Sequence, residues 1–221
     1  MDQGSEALLV DTVLAERPDD GFLGEEGSNR AGTSGVTWVL DPLDGTVNYL
    51  YGFPAWAVSV AAVIGDQPVV GVVNAPALGT VWRGVVGGPA EVNGEVMHVG
   101  GATDLTASLV ATGFGYEADV RAAQGTIVAG LLPRIRDIRR AGAAAVDMCW
   151  VAQGVVDAYF ERGTHLWDRA AAMVICEASG ARVGGIDAGP PTDAMTIAAN
   201  PVVFEQLRGA LRDLGVTDGA Y

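Results

Sequence analysis

The stretch Trp38-Val39-Leu40-Asp41-Pro42-Leu43-Asp44-Gly45-Thr46-Val47-Asn48 ends an apolar run in two carboxylates three residues apart. The proline fixes one backbone angle, and the glycine permits a tight turn and the close approach of a ligand. Thr46 adds a hydroxyl beside the acids. Carboxylate oxygens are the ligands that hard cations such as magnesium take. The stretch is therefore a candidate cradle for metal, phosphate and water. Asp-Pro and Asp-Gly are also ordinary turn formers whose side chains satisfy nearby N–H groups. Taken alone, it reads either way.

Two further segments carry acids in suggestive settings. Phe22-Leu23-Gly24-Glu25-Glu26-Gly27 is a short apolar run ending in paired acids. In Glu161-Arg162-Gly163-Thr164-His165-Leu166-Trp167-Asp168-Arg169-Ala170-Ala171, Asp168 opens an amphipathic helix. Its inner stripe is Trp167, Ala170, Ala171, Val174, Ile175 and Ala178. An acid in a first helical turn is in itself only a favourable partner for the helix dipole.

In combination and in this order, the three segments resemble the inositol monophosphatase family, whose pattern is Gly-Glu-Glu, then Trp-x-x-Asp-Pro-x-Asp-Gly-Thr-x-Asn, then Trp-Asp-x-Ala-Ala. The resemblance covers nearly the whole chain, including Arg139-Arg140-Ala141-Gly142-Ala143-Ala144-Ala145 and Asp157-Ala158-Tyr159-Phe160-Glu161. It implies a magnesium-dependent phosphomonoesterase that hydrolyses inositol monophosphate, working as a homodimer. The implied metal ligands are Glu25, Asp41, the carbonyl of Leu43, Asp44 and Asp168. Glu25 and Thr46 would orient and deprotonate the attacking water, and the N–H groups of Gly45 and Thr46 would bind phosphate oxygens. Gly142, Ala143, Ala144 and Glu161 match positions that touch the substrate's hydroxyls. The family usually carries Ser or Thr where Ala143 stands, so one hydroxyl is missing. Histidinol phosphatase, a fructose bisphosphatase-like enzyme, a nucleotide 3′-phosphatase and a non-catalytic regulatory relative are the alternative readings.

Family members also carry a helix and a loop ahead of the segment matching Asp2-Gln3-Gly4-Ser5-Glu6, with a Lys and further acids. The expectation from the resemblance is a chain truncated at its start, or a start codon assigned too late.

Composition sets bounds on this chemistry. With 221 residues, of which 49% are hydrophobic, the chain can build a substantial core. The formal charge is −14, and all 13 cationic side chains are Arg. Such a surface repels nucleic acid and acidic membranes. It would repel a phosphate ester too, so acidity and phosphate chemistry fit together only with bound cations. No apolar run approaches the ~20 residues needed to span a bilayer, and the start has no basic-then-apolar pattern of a signal peptide. A cytoplasmic protein is expected. Cys149 and Cys176 lie in apolar surroundings and are expected as buried thiols. The two histidines, His98 and His165, stand apart; His165 lies close to Asp168 in sequence, which leaves an active-site role open to it, and a structural role is the expectation for each.

The elements that must position these residues follow from periodicity and turn signals. A helix is expected over 5–16, with Leu8, Leu9, Thr12 and Val13 on its inner face. Strands follow near 21–24 and 36–40, with a surface loop over 27–35 between them. Residues 56–86 read as an antiparallel meander, and Asn93-Gly94 as a hairpin turn. The second half alternates: strands at 109–112, 135–139, 155–160 and 195–199, and helices at 118–132, 142–153, 167–179 and 201–214. The expected class is α/β (α+β). The resemblance implies a layered α–β–α–β–α sugar-phosphatase-like fold. Residues 1–105 would carry the metal-binding motifs and antiparallel sheet, and 106–221 an α/β half closing the active site.

Overall fold

The structure is a computed structural model describing residues 2–187 and 189–219. It has two mixed sheets and six α-helices among the described residues. The first sheet has eight strands in the order β2-β1-β3-β4-β5-β6-β7-β8: β1 (Gly21–Gly24), β2 (Asn29–Arg30), β3 (Val36–Asp44), β4 (Ala57–Ile64), β5 (Gln67–Ala75), β6 (Thr80–Val85), β7 (Ala90–Val92) and β8 (Glu95–Met97). Its β1–β3 pair is parallel and the rest antiparallel. The second sheet has the order β10-β9-β11-β13-β12, from β9 (Leu109–Thr112), β10 (Asp137–Arg139), β11 (Ala158–Glu161), β12 (Arg182–Gly184) and β13 (Thr196–Ala199).

The helices form three layers around these sheets. Helix α1 (Asp2–Glu16) lies on β3, and α2 (Thr46–Tyr51) follows the β3 turn. Helices α4 (Ala144–Gln153) and α5 (Leu166–Ala178) pack on each other and fill the space between the sheets. Helices α3 (Ala118–Leu131) and α6 (Pro201–Asp213) contact each other, and α6 covers β11 and β13. This is the α–β–α–β–α arrangement. Two buried clusters match the layers: one around Trp82, Met148, Tyr159 and Ile175, the other around Phe160, Ile197, Phe204 and Leu207.

Small residues set the closest contact between layers. A Cβ on Gly71 of β5 would fall 2.1 Å from the carbonyl oxygen of Ala171, and one on Gly84 of β6 would fall 2.8 Å from the Ile175 Cα. Helix α5 therefore rests with its backbone on the first sheet. Cys149 and Cys176 are buried free thiols, and among the described residues no helix is long and apolar enough to cross a membrane.

Several boundaries differ from expectation for local reasons. Helix α1 turns a different face inward: Leu8 is 68% exposed, while Ser5, Glu6, Leu9, Val10, Val13 and Leu14 face the protein. Strand β11 starts three residues later than expected, because the N–H groups of Val155 and Val156 close the end of α4 on the Trp150 carbonyl. Gly142 and Ala143 precede α4 rather than joining it, since Gly142 has φ +92°. Asn93 and Gly94 both have positive φ, as the two-residue hairpin turn between β7 and β8 demands.

Candidate active site

Asp41 and Asp44 are three residues apart, a spacing that would point them to opposite faces of a regular strand. The pairing of β3 with β4 is irregular there: Asp41 faces Ser59 and Asp44 faces Ala57, so three steps on β3 match two on β4. This extra residue is a bulge, and bulges re-aim side chains. Pro42, which has no N–H to give the ladder, sits inside it. Both carboxylates thereby line one cavity of about 290 Å³.

Each acid is held by backbone donors. Asp41 Oδ1 accepts the N–H of Leu43 at 2.9 Å. Asp44 spreads its two oxygens over the first turn of α4, accepting from Ala144 at 3.1 Å and Ala145 at 2.8 Å. The Thr46 hydroxyl donates to the Leu43 carbonyl at 3.1 Å. Gly45 has φ +86°, and a Cβ there would meet Ala55 and Ala143 at 3.0 and 3.1 Å. Asn48 stitches the same turn to the second half, donating to the carbonyls of Ala55 at 2.6 Å and Ala141 at 2.8 Å.

Asp168 enters from the first turn of α5. Its Oδ2 accepts the N–H of His165 at 2.6 Å as part of a reciprocal cap. Behind it, the Asp193 carboxylate takes the Arg169 guanidinium and the His165 ring, both at 2.9 Å. Glu25 reaches the cavity from the turn after β1. Glu161, at the end of β11, accepts the Tyr159 hydroxyl at 2.8 Å. A Cβ on Gly113 would lie 2.1 Å from the Glu161 carboxyl, so this acid needs a glycine opposite it.

The electrostatics are those of an acid cluster short of cations. Burial lifts the pKa of Asp41 far above the usual carboxylate value, and Asp44, Glu25 and Asp168 lift it further. Asp44 is raised by burial and by Asp168, with the N–H groups of Ala145 and Ala144 pulling the other way. Burial is also the first cause for Glu25, which is raised, for Asp168, raised to about 6, and for Glu161, raised to about 7. Opposed to them, Arg140 and Arg162 line the same cavity. Hard oxygen donors with uncompensated negative charge suit a divalent cation. Among the described residues no three His, Cys, Asp or Glu side chains already close on one point. The donor chemistry fits a metal, while the acids share a cavity rather than a finished cage.

Of the residues expected from sequence, Glu25, Asp41, Leu43, Asp44, Gly45, Thr46, Gly142, Ala144, Glu161 and Asp168 all line this cavity. Ala143 does not. It is buried, with its methyl group packed toward Gly45, so it shapes the wall from behind. His165 lines the cavity and contacts Trp167, with ring centroids 4.9 Å apart, which places it closer to the site than a remote structural role would. Sequence reasoning missed three supporting residues. Tyr159 is fully buried under Glu161. Asp147 on α4 is fully buried, with the backbone N–H groups of Gly142 and Ala141 nearest its carboxylate. Glu6 on α1 is 2% exposed. For Glu6 a signal existed: it lies one and two turns before Leu9 and Val13, on one helical stripe.

A layered α–β–α–β–α fold with bulge-aligned acids and Asp168 lining one cavity defines the class of sugar-phosphatase folds. The model of the inositol monophosphatase family matches residues 1–215. The inositol-1-monophosphatase SuhB of Mycobacterium tuberculosis is 41% identical over 96% of this chain and 77% of its own length. A Nus factor SuhB of Salmonella typhimurium is 34% identical over 96% of this chain and 81% of its own. Among solved structures, Mycobacterium tuberculosis SuhB superposes with a TM-score of 0.87, covering 97% of this chain and 84% of that one. The inositol monophosphatase from Anabaena gives 0.89 at 34% identity, covering 96% and 86%. The chain belongs to the inositol monophosphatase family.

Proposed function

We propose that this chain is an inositol-1-monophosphatase, a phosphoric monoester hydrolase that converts an inositol monophosphate to inositol and phosphate. The observation that carries this reading is that Glu25, Asp41, Asp44 and Asp168 line one cavity together with Glu161, Gly142 and Ala144. One wall suits the phosphate and the other the polyol. Glu25, Asp41, the Leu43 carbonyl, Asp44 and Asp168 would hold Mg²⁺. When bound, the cation offsets the phosphate charge, lowers the pKa of a water and stabilises the leaving oxygen.

The chain's own groups do the rest. The Glu25 carboxylate accepts a hydrogen bond from the attacking water, and the Thr46 hydroxyl fixes that water's other side. The N–H groups of Gly45 and Thr46 donate to phosphate oxygens. Glu25 takes a proton from the water as the water oxygen bonds to phosphorus, the ester P–O bond breaks, the departing inositol oxygen takes up a proton from solvent, and Glu25 returns its own to solvent. Tyr159 engages Glu161 Oε2, which leaves Oε1 to accept from a substrate hydroxyl. The halves 1–105 and 106–221 close on the substrate from opposite sides. Action in the cytoplasm, as a homodimer and without nucleic acid or membrane, belongs to the same proposal, and the −14 charge favours the last two exclusions.

The test is turnover of a panel of inositol, sugar, nucleotide and histidinol phosphates, with Mg²⁺ and with EDTA. The highest kcat/KM is expected for inositol monophosphate, and EDTA abolishes it. Absence of Mg-dependent turnover on every ester would sink the proposal. A clear preference for another ester would move the substrate assignment to that ester.

A further inference from the structure

Glu25 stands on a short turn that no long element supports. Every backbone donor of that turn can be accounted for. The N–H of Gly24 goes to the Ser28 carbonyl at 2.8 Å, that of Glu25 to the Leu40 carbonyl at 3.1 Å, and that of Gly27 to the Gly24 carbonyl at 3.3 Å. The two remaining donors point to a side chain twenty residues back. Glu6 Oε2 accepts from Glu26 at 3.0 Å, and Glu6 Oε1 accepts from Ser28 at 2.8 Å. Both oxygens of one carboxylate are thus spent on two N–H groups, those of Glu26 and Ser28, that follow Glu25 in the turn.

The contact is built for this purpose. Glu6 is 2% exposed, although it sits on a helix whose neighbouring Ala7 and Leu8 face solvent. An acid is rarely buried to that degree without dedicated partners. Gly24 makes the approach possible, since a Cβ there would fall 2.3 Å from Glu6 Oε2. A charged acceptor gives stronger and shorter hydrogen bonds than a neutral one, so the turn is held more firmly than a water or amide would hold it.

We propose that Glu6 is a positioning residue for Glu25: its carboxylate clamps the Gly24–Ser28 turn and so fixes where the Glu25 carboxylate meets the cation and the attacking water. The proposal rests on the role assigned above to Glu25. It makes α1 part of the catalytic apparatus, although none of its residues lines the cavity. Supporting partners that orient a ligand are worth about 10–100-fold in metal affinity or activity.

Three variants test it: Glu6→Gln, which keeps the shape but turns an NH₂ toward a backbone N–H; Gly24→Ala, which pushes the same carboxylate away from the other side; and Glu25→Gln. Three quantities are read on each purified protein: the Mg²⁺ concentration giving half of the rise in melting temperature, and kcat and KM for inositol monophosphate at saturating Mg²⁺. Glu6→Gln and Gly24→Ala are expected to melt cooperatively in EDTA, to need at least about tenfold more Mg²⁺, and to lose kcat with KM nearly unchanged. Wild-type Mg²⁺ response and kcat in both would overturn the proposal. So would activity loss that merely follows the fraction unfolded, because that marks a structural brace alone. If Glu25→Gln itself keeps normal turnover and Mg²⁺ response, the failure lies with the role given to Glu25. If Glu25→Gln is impaired while Glu6→Gln and Gly24→Ala are not, it lies with the clamp.

Discussion

The Asp44 carboxylate accepts the backbone N–H of Ala145 at 2.8 Å, 101 positions further along the chain. This bond joins the bulged end of β3 in the first sheet to the first turn of α4 between the sheets. It places an acid against the positive end of a helix, where negative charge is favoured. The same acid is 9% exposed and faces Asp168. One residue therefore serves both the joint between the first sheet and α4 and the acid cluster.

Replacing Asp44 with Asn should lower turnover by at least about 100-fold, because a carboxylate on the cation acts mainly in the transition state. The variant should still melt cooperatively. Turnover and melting are measured on the same preparation, and near-normal turnover would remove Asp44 from the machinery.

The metal-free protein should lose stability as pH rises from about 4 to about 8, the interval between the unfolded carboxyl pKa and the raised folded ones. Asp168, Glu161 and Asp147 have folded-state pKa values of about 6, about 7 and about 8, each raised chiefly by burial. Unfolded carboxyls titrate near 4. Groups raised on folding contribute stability that is complete below the unfolded pKa and disappears as pH climbs through the folded one. Melting in EDTA across this range checks the slope, and Asp147→Asn should flatten its upper end. A flat profile in the wild type would contradict it.

Acid acts on a different residue. Asp20 is held at about 2 by hydrogen bonds from Arg17 first, then Ser34 and Trp38. Its folded pKa is depressed, so its contribution is present above pH 4 and is lost as pH falls toward 2. Asp20→Asn should therefore narrow the difference in melting between pH 5 and pH 3, read by circular dichroism. An unchanged difference would assign acid sensitivity elsewhere.

Tyr159→Phe removes the hydroxyl that orients Glu161. kcat/KM for inositol monophosphate should fall about tenfold, the worth of one hydrogen bond to a charged group. Turnover of 4-nitrophenyl phosphate, which has no polyol for Glu161 to hold, should change little. Equal losses on both esters would mean a general disturbance of the site.

Gly71→Ala should destabilise the protein by about 1–3 kcal/mol, since the new methyl group has no room against Ala171. Gly4→Ala, in the open face of α1, should stabilise it by about 0.5–1 kcal/mol. Urea titrations of both compare the two glycines directly.

The sequence made the acids legible because their chemistry is local. Asp41, Asp44, Glu25 and Asp168 each sit in a short motif at the end of an element, and periodicity recovered those elements with small errors at their ends. What stayed hidden depends on contacts between distant segments. Glu6 falls on the stripe of Leu9 and Val13, but what it holds shows only when the turn at 24–28 is laid against it. Tyr159 shares a strand face with Glu161 two residues on, whereas only the packing of α4 against β11 puts Asp147 beside that acid. Strand β12, three residues long and, among the described residues, paired with no strand but β13, has too little pattern to be seen in sequence.

Helix α5, which presents Asp168, lies on β5 and β6 with main chain meeting main chain at Gly71 and Gly84. That contact works as a mechanical stop. The span between Asp168 and the β3 acids is gauged by atoms every residue shares, so the surrounding core can exchange one aliphatic side chain for another without resetting it. Over evolutionary drift, the two glycines would hold the site's dimensions constant while the interior around them is rewritten.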